Sequence, residues 1–121
     1  MAQVAALLIS APGGGAAVRA QVADTWPARL AGLLPRDRLA DGEGLLLRPC
    51  CSVHTLGMSF PIDILFLNEQ GMVMAVTAAA RPWRLCPAPR GTAQVLELAA
   101  GAAGRRGWAP GTRLHLQPVP R

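Results

Sequence analysis

Residues 62–67, Ile-Asp-Ile-Leu-Phe-Leu, read as a strand with no solvent face. A strand exposed on one side alternates apolar with polar residues, whereas here every position except Asp63 is large and apolar. Such a segment belongs inside a sheet, covered on both faces. The next four residues, Asn68, Glu69, Gln70 and Gly71, carry hairpin-turn chemistry, with a glycine able to take a positive φ. Residues 72–77 are then the returning partner strand. The centre of this chain is therefore committed to layered β structure.

The flanks agree. Val18, Ala20 and Val22 alternate with Arg19 and Gln21, the two-residue period of a half-buried strand. Asp24 or Thr25 can cap a helix with Pro27 in its first turn, Leu30, Leu33 and Leu34 on its apolar face, and Pro35 at its end. Residues 45–47, 53–56, 83–86, 92–98 and 112–116 are further strand candidates, and 99–106 suit a helical turn or two. Gly13, Gly14 and Gly15 read as a plain flexible turn after a first strand. About seven short strands with one principal helix give an α+β fold, mainly antiparallel β. A barrel-like sheet would hide its edges.

A chain of 121 residues that is 51% hydrophobic and 16% charged is expected to be one domain, 1–121, with a single core rather than a disordered chain. No apolar run approaches the ~20 residues that span a bilayer. No cation precedes the apolar residues 4–9, as a secretory leader requires, which points to the cytoplasm. The net charge of +5 comes from arginine alone, thinly spread, with only Arg105 and Arg106 adjacent and 4% aromatic residues. A nucleic-acid face would cluster its cations and interleave aromatics, so that class of partner is set aside. Three cysteines without C-x-x-C spacing make no disulfide framework, and the adjacent pair Cys50 and Cys51 is too close for an unstrained bridge.

The residues that could carry chemistry are few. His54 follows two cysteines, so Cys51, His54 and Cys86, with Met58, are what a soft-metal site for zinc or copper would draw on, although Cys51-x-x-His54 is half a motif. Asp63 shares a strand face with Leu65 and Leu67. If buried, it must accept backbone N–H groups or pair with an arginine such as Arg81 or Arg84. Glu97 interrupts a second apolar strand, on the face of Val95. Two carboxylates and a histidine could supply acid/base chemistry, and a cysteine beside His54 a thiolate. The bland alternatives are a hydrogen-bonded histidine, two independent salt bridges and buried thiols. Trp83 between Arg81 and Arg84 is either a stacking surface or a core plug.

Ser-Val-His-Thr-Leu-Gly-Met-Ser-Phe-Pro-Ile-Asp-Ile-Leu-Phe-Leu at 52–67 resembles a known family, as do Arg-Pro-Trp-Arg at 81–84, Val-Leu-Glu-Leu-Ala-Ala-Gly at 95–101 and the Gly-Trp-Ala-Pro-Gly-Thr run at 107–112. The family is the bacterial and archaeal domain of unknown function 192, and the likeness covers about 16–116. It implies a compact β-rich single domain with one prominent helix, and no established activity. Many members look exported, whereas the Val-His-Thr form of the motif here looks cytoplasmic. The leading reading is a non-enzymatic module binding a small molecule, peptide or protein in a groove near His54, Met58, Asp63, Trp83, Arg84 and Glu97. No cofactor is called for. The rival is a small enzyme using His54 with Asp63 or Glu97.

Overall fold

The structure, a computed structural model, describes residues 6–23, 39–48, 52–54, 60–81 and 85–119, with backbone alone at 23, 52–54 and 85–87. The helix expected from Asp24 or Thr25 to Leu34 lies outside the described residues.

Nine strands and one short helix are described. They are β1 (Ala6–Ala11), β2 (Gly14–Ala23), β3 (Glu43–Leu47), β4 (Ser52–His54), β5 (Ile62–Leu67), β6 (Val73–Ala80), β7 (Leu85–Pro87), β8 (Gln94–Ala99), α1 (Ala102–Arg106) and β9 (His115–Pro118). Seven form one sheet in the order β6-β5-β8-β3-β2-β1-β9, and β4 pairs with β7 in a separate ladder. Every contact in the large sheet is antiparallel except β2 with β3. A parallel neighbour needs a crossover of a dozen or more residues, and 24–42 supplies that length. Alternation reports which face a residue takes but not which strand it pairs with, so this mixed character was not legible in the sequence.

β5 is buried at all six positions, as its composition requires. Its two faces feed two clusters. Leu65 and Leu67 join a large core with Ile9, Val18, Leu46, Val73, Leu96, Leu98, Trp108 and Leu114, while Ile62, Ile64 and Phe66 join Leu39, Leu45, Leu47, Val95 and Ala80. The large core takes in Val73 of the edge strand β6, with Leu116 of the other edge strand β9 packed against it. In a flat seven-strand sheet those edges would stand roughly 29 Å apart. The ladder itself stays open, but its edges meet at one corner. Met72 and Arg113 form an isolated bridge, Val73 N–H donates to the Thr112 carbonyl at 2.8 Å, and Leu114 N–H donates to the Gly71 carbonyl at 3.0 Å. That corner occupies the backbone of residues expected to begin the last strand, so β9 starts at His115 instead.

The turn at 68–71 forms as expected, with Gly71 at φ 84° and the Asn68 side-chain oxygen accepting N–H groups of Gln70 and Met72. The glycine turn is less plain than its composition suggests. Gly13 and Gly15 both take positive φ, but a Cβ on Gly15 would lie 2.9 Å from the Arg106 Cα, whereas one on Gly13 would meet nothing within 4 Å. Gly15 is where the β1–β2 hairpin seats against α1. We expect Gly15→Ala to cost about 2–4 kcal/mol, from left-handed strain plus a backbone clash, and Gly13→Ala only about 1 kcal/mol. Urea denaturation of the two variants measures the difference, and equal losses would contradict the seating.

Candidate functional site

Asp63 lies opposite a bulge. Ile62 pairs with Ala80 and Ile64 with Thr77, so β6 carries an extra residue across from Asp63. Ala79 in that bulge takes φ 48°, a conformation that a non-glycine residue rarely keeps without a fixed partner. Its N–H donates to Asp63 Oδ1 at 2.8 Å. The same oxygen accepts the Gly101 N–H at 3.1 Å, and Oδ2 accepts the Ala103 N–H at 3.0 Å. Gly101 is the N-cap of α1 and has no capping side chain of its own. Asp63, 1% exposed, thus caps a helix far along the chain and pins the bulge with one carboxylate. A helix of five residues would not hold without such a cap. The sequence offered backbone N–H groups or an arginine as partners, and the structure supplies backbone N–H groups, those of Ala79, Gly101 and Ala103.

Glu97 is placed on the other face of the sheet. It pairs across the ladder with Leu45 and Ile64, both in the second cluster, whereas Asp63 pairs with Leu98 of the large core. The two carboxyls therefore do not meet. Glu97 is 3% exposed, and its Oε2 has no hydrogen-bond partner among the described residues. Burial pushes this carboxyl up to about 8, so it carries a proton at neutral pH.

The remaining candidates fall partly or wholly outside the described residues. Met58, Trp83, Arg84 and Cys51 lie outside them. His54 ends β4 and Cys86 sits in β7, where the backbone register sets Leu85 opposite His54 and Cys86 opposite Val53. Among the described residues no three His, Cys, Asp or Glu gather to hold a metal ion.

One ionic centre escaped the sequence reading. Arg106, 6% exposed, donates to the Ala16 and Ala102 carbonyls at 2.7 and 3.1 Å and to the backbone carbonyl of Asp41 at 3.1 Å. It also grips both Asp41 carboxylate oxygens, and its guanidinium lies 5.7 Å from the Trp108 ring centre. Hydrogen bonds from Arg106 and then Arg105 hold the Asp41 carboxyl at about 2. The Arg105-Arg106 pair was visible in the sequence, but its partner lies more than 60 positions earlier. The centre ties the β1–β2 hairpin, the approach to β3 and α1 together, a structural task.

An open mixed sheet, with a short helix capped from a neighbouring strand and one proton-holding acid on the opposite face, defines a small β-rich domain. The chain belongs to DUF192, a family described as Uncharacterized ACR, whose profile matches residues 8–116. No curated protein matches the chain. Two crystal structures are similar to it. A protein of unknown function from Novosphingobium aromaticivorans DSM 12444 shares 28% identity at a TM-score of 0.80, with 93% of this chain and 85% of that one covered. A protein from Sinorhizobium meliloti 1021, described as "a putative transcription regulator", shares 24% identity at a TM-score of 0.80, with 94% of each chain covered. No helix among the described residues is long and apolar enough to cross a membrane.

Proposed function

We propose that this protein is a non-enzymatic binding module, cytoplasmic, with a curled, barrel-like sheet that presents Glu97 to a small molecule, peptide or protein segment. The observation that carries this reading is the Glu97 carboxyl, buried on a sheet face that is otherwise apolar among the described residues, with Oε2 unpartnered among them. Buried polar atoms are nearly always satisfied, and an orphan acid is a standing cost that a ligand can remove. A protonated carboxyl offers one donor and one acceptor, which suits an amide or carbonyl edge on the occupant. His54, Met58, Trp83 and Arg84 are the further groove residues in this proposal.

Acid/base catalysis by two carboxylates finds less support. Asp63 already accepts three backbone N–H groups, and it faces away from Glu97. A regulator role borrowed from the Sinorhizobium neighbour has nothing further behind it, since likeness at 24% identity extends to the fold alone.

A thermal-shift screen of the reduced protein against amides, nucleotides, metabolites and metals tests the reading. A ligand at 100 times its Kd adds about 2.7 kcal/mol. The expected hit is lost in Glu97→Leu and weakened in His54→Ala. Turnover of the hit would overturn the non-enzymatic reading, and a hit unaffected by Glu97→Leu would overturn the site.

A further inference from the structure

At one end of the sheet the 68–71 turn, the end of β3, the start of β8 and the lead into β9 enclose a cleft of about 310 Å³. Arg48, Arg113 and His115 line it together with Gln94 and Glu69. We propose that this cleft binds a small oxyanion group, the phosphate or carboxylate of a metabolite.

Four observations converge on this proposal. The cleft lies at the corner where the sheet's two edges meet, and mouths of curled sheets are common ligand sites. Its cations are available: Arg105 and Arg106 are tied to Asp41, whereas neither Arg48 nor Arg113 is in an ion pair among the described residues. Two guanidinium forks and an imidazole are the donor set that phosphate and carboxylate oxygens match, bidentately for each arginine. The frame is fixed in advance. Gln94, 8% exposed, donates from Nε2 to the Asn68 carbonyl at 3.0 Å, and Asn68 in turn holds its own turn with its side-chain oxygen. With that part of the cleft wall already in place, the ordering left to the ion is that of the cation side chains.

The cleft is independent of the Glu97 groove. Along β8, Gln94 shares the face of Leu96 and Leu98, and Glu97 the face of Val95, so the two sites lie on opposite faces of the strand. Among the described residues that line the cleft, Glu69 is the one carboxylate, and it opposes the anion.

Isothermal titration of the full chain at low ionic strength, with inorganic phosphate and succinate as separate probes, tests the site and distinguishes the two sources. The expected result is saturable, equimolar binding of one probe, weakened about tenfold or more in Arg48→Ala and in Arg113→Ala. Glu69→Gln should tighten it, and Arg90→Ala, an exposed arginine outside the cleft, should leave it unchanged. All four side chains are exposed, and far-UV circular dichroism checks that each variant folds. Binding of neither probe overturns the proposal. So does equal weakening by Arg90→Ala, or binding of a short single-stranded DNA with no preference for the cleft arginines, because each would mean diffuse charge rather than a site.

Discussion

Asp63→Ala is expected to lower the free energy of unfolding by about 3–5 kcal/mol, a large share of the 5–15 kcal/mol typical of a domain. The loss has three parts, one for each N–H left without an acceptor: Ala79, Gly101 and Ala103. Once Ala79 loses its acceptor, nothing described compensates for its positive φ, and α1 loses its N-terminal cap. Asp63→Asn keeps the oxygen that serves Ala79 and Gly101 but turns an amide NH₂ toward Ala103, so it should lose about 1–2 kcal/mol. Urea denaturation gives both numbers. A loss below about 1 kcal/mol for the alanine variant would show that the carboxylate is not structural. Its place in the binding groove would then be open again.

The second large effect is a dependence on pH. The Glu97 carboxyl, which in a solvated chain titrates at about 4.5, is held at about 8 by burial. Above pH 4.5 the unfolded chain releases this proton while the folded chain keeps it until about pH 8. Stability from this group is therefore greatest in acid, falls as pH rises through that window, and levels off above it. The slope is at most about 1.4 kcal/mol per pH unit, on the order of 5 kcal/mol across the window. Asp41 acts in the opposite sense at the acid end. Its carboxyl is lowered from 3.8 to about 2, so the stability it adds is present above pH 4 and is lost as pH falls toward 2. Melting temperature should therefore peak in mild acid. Glu97→Gln should flatten the descent between pH 5 and 8 and leave the acid limb in place. An unchanged slope in that variant would mean that Glu97 is ionised and paired, which would remove the orphan acid on which the binding proposal stands.

Much of the fold could be read from local pattern. β5 came out at its expected bounds because six consecutive buried positions leave a strand no other place than a sheet interior. Val18, Ala20 and Val22 are buried and Arg19 and Gln21 exposed, as their alternation requires. The 68–71 turn carried its own chemistry. Faces were legible too: Asp63 does lie with Leu65 and Leu67, and Glu97 with Val95. Partners were not. That Asp63 caps α1, that Arg106 reaches Asp41, and that Arg48 and Arg113 border one cleft are pairings across 40 or more positions. Periodicity reports the environment of one element and carries no record of which distant element supplies it.

By itself, then, the sequence determined which residues go inside, which segments are strands, and which family the chain resembles, because burial and turn chemistry act over a few residues at a time. The tertiary structure alone decided the parallel β2–β3 pair, the corner where the sheet's edges meet, and the separation of Asp63 from Glu97. Those depend on how strands stack and curl around a shared core, where a hydrogen bond's partner is fixed by the path of the whole backbone.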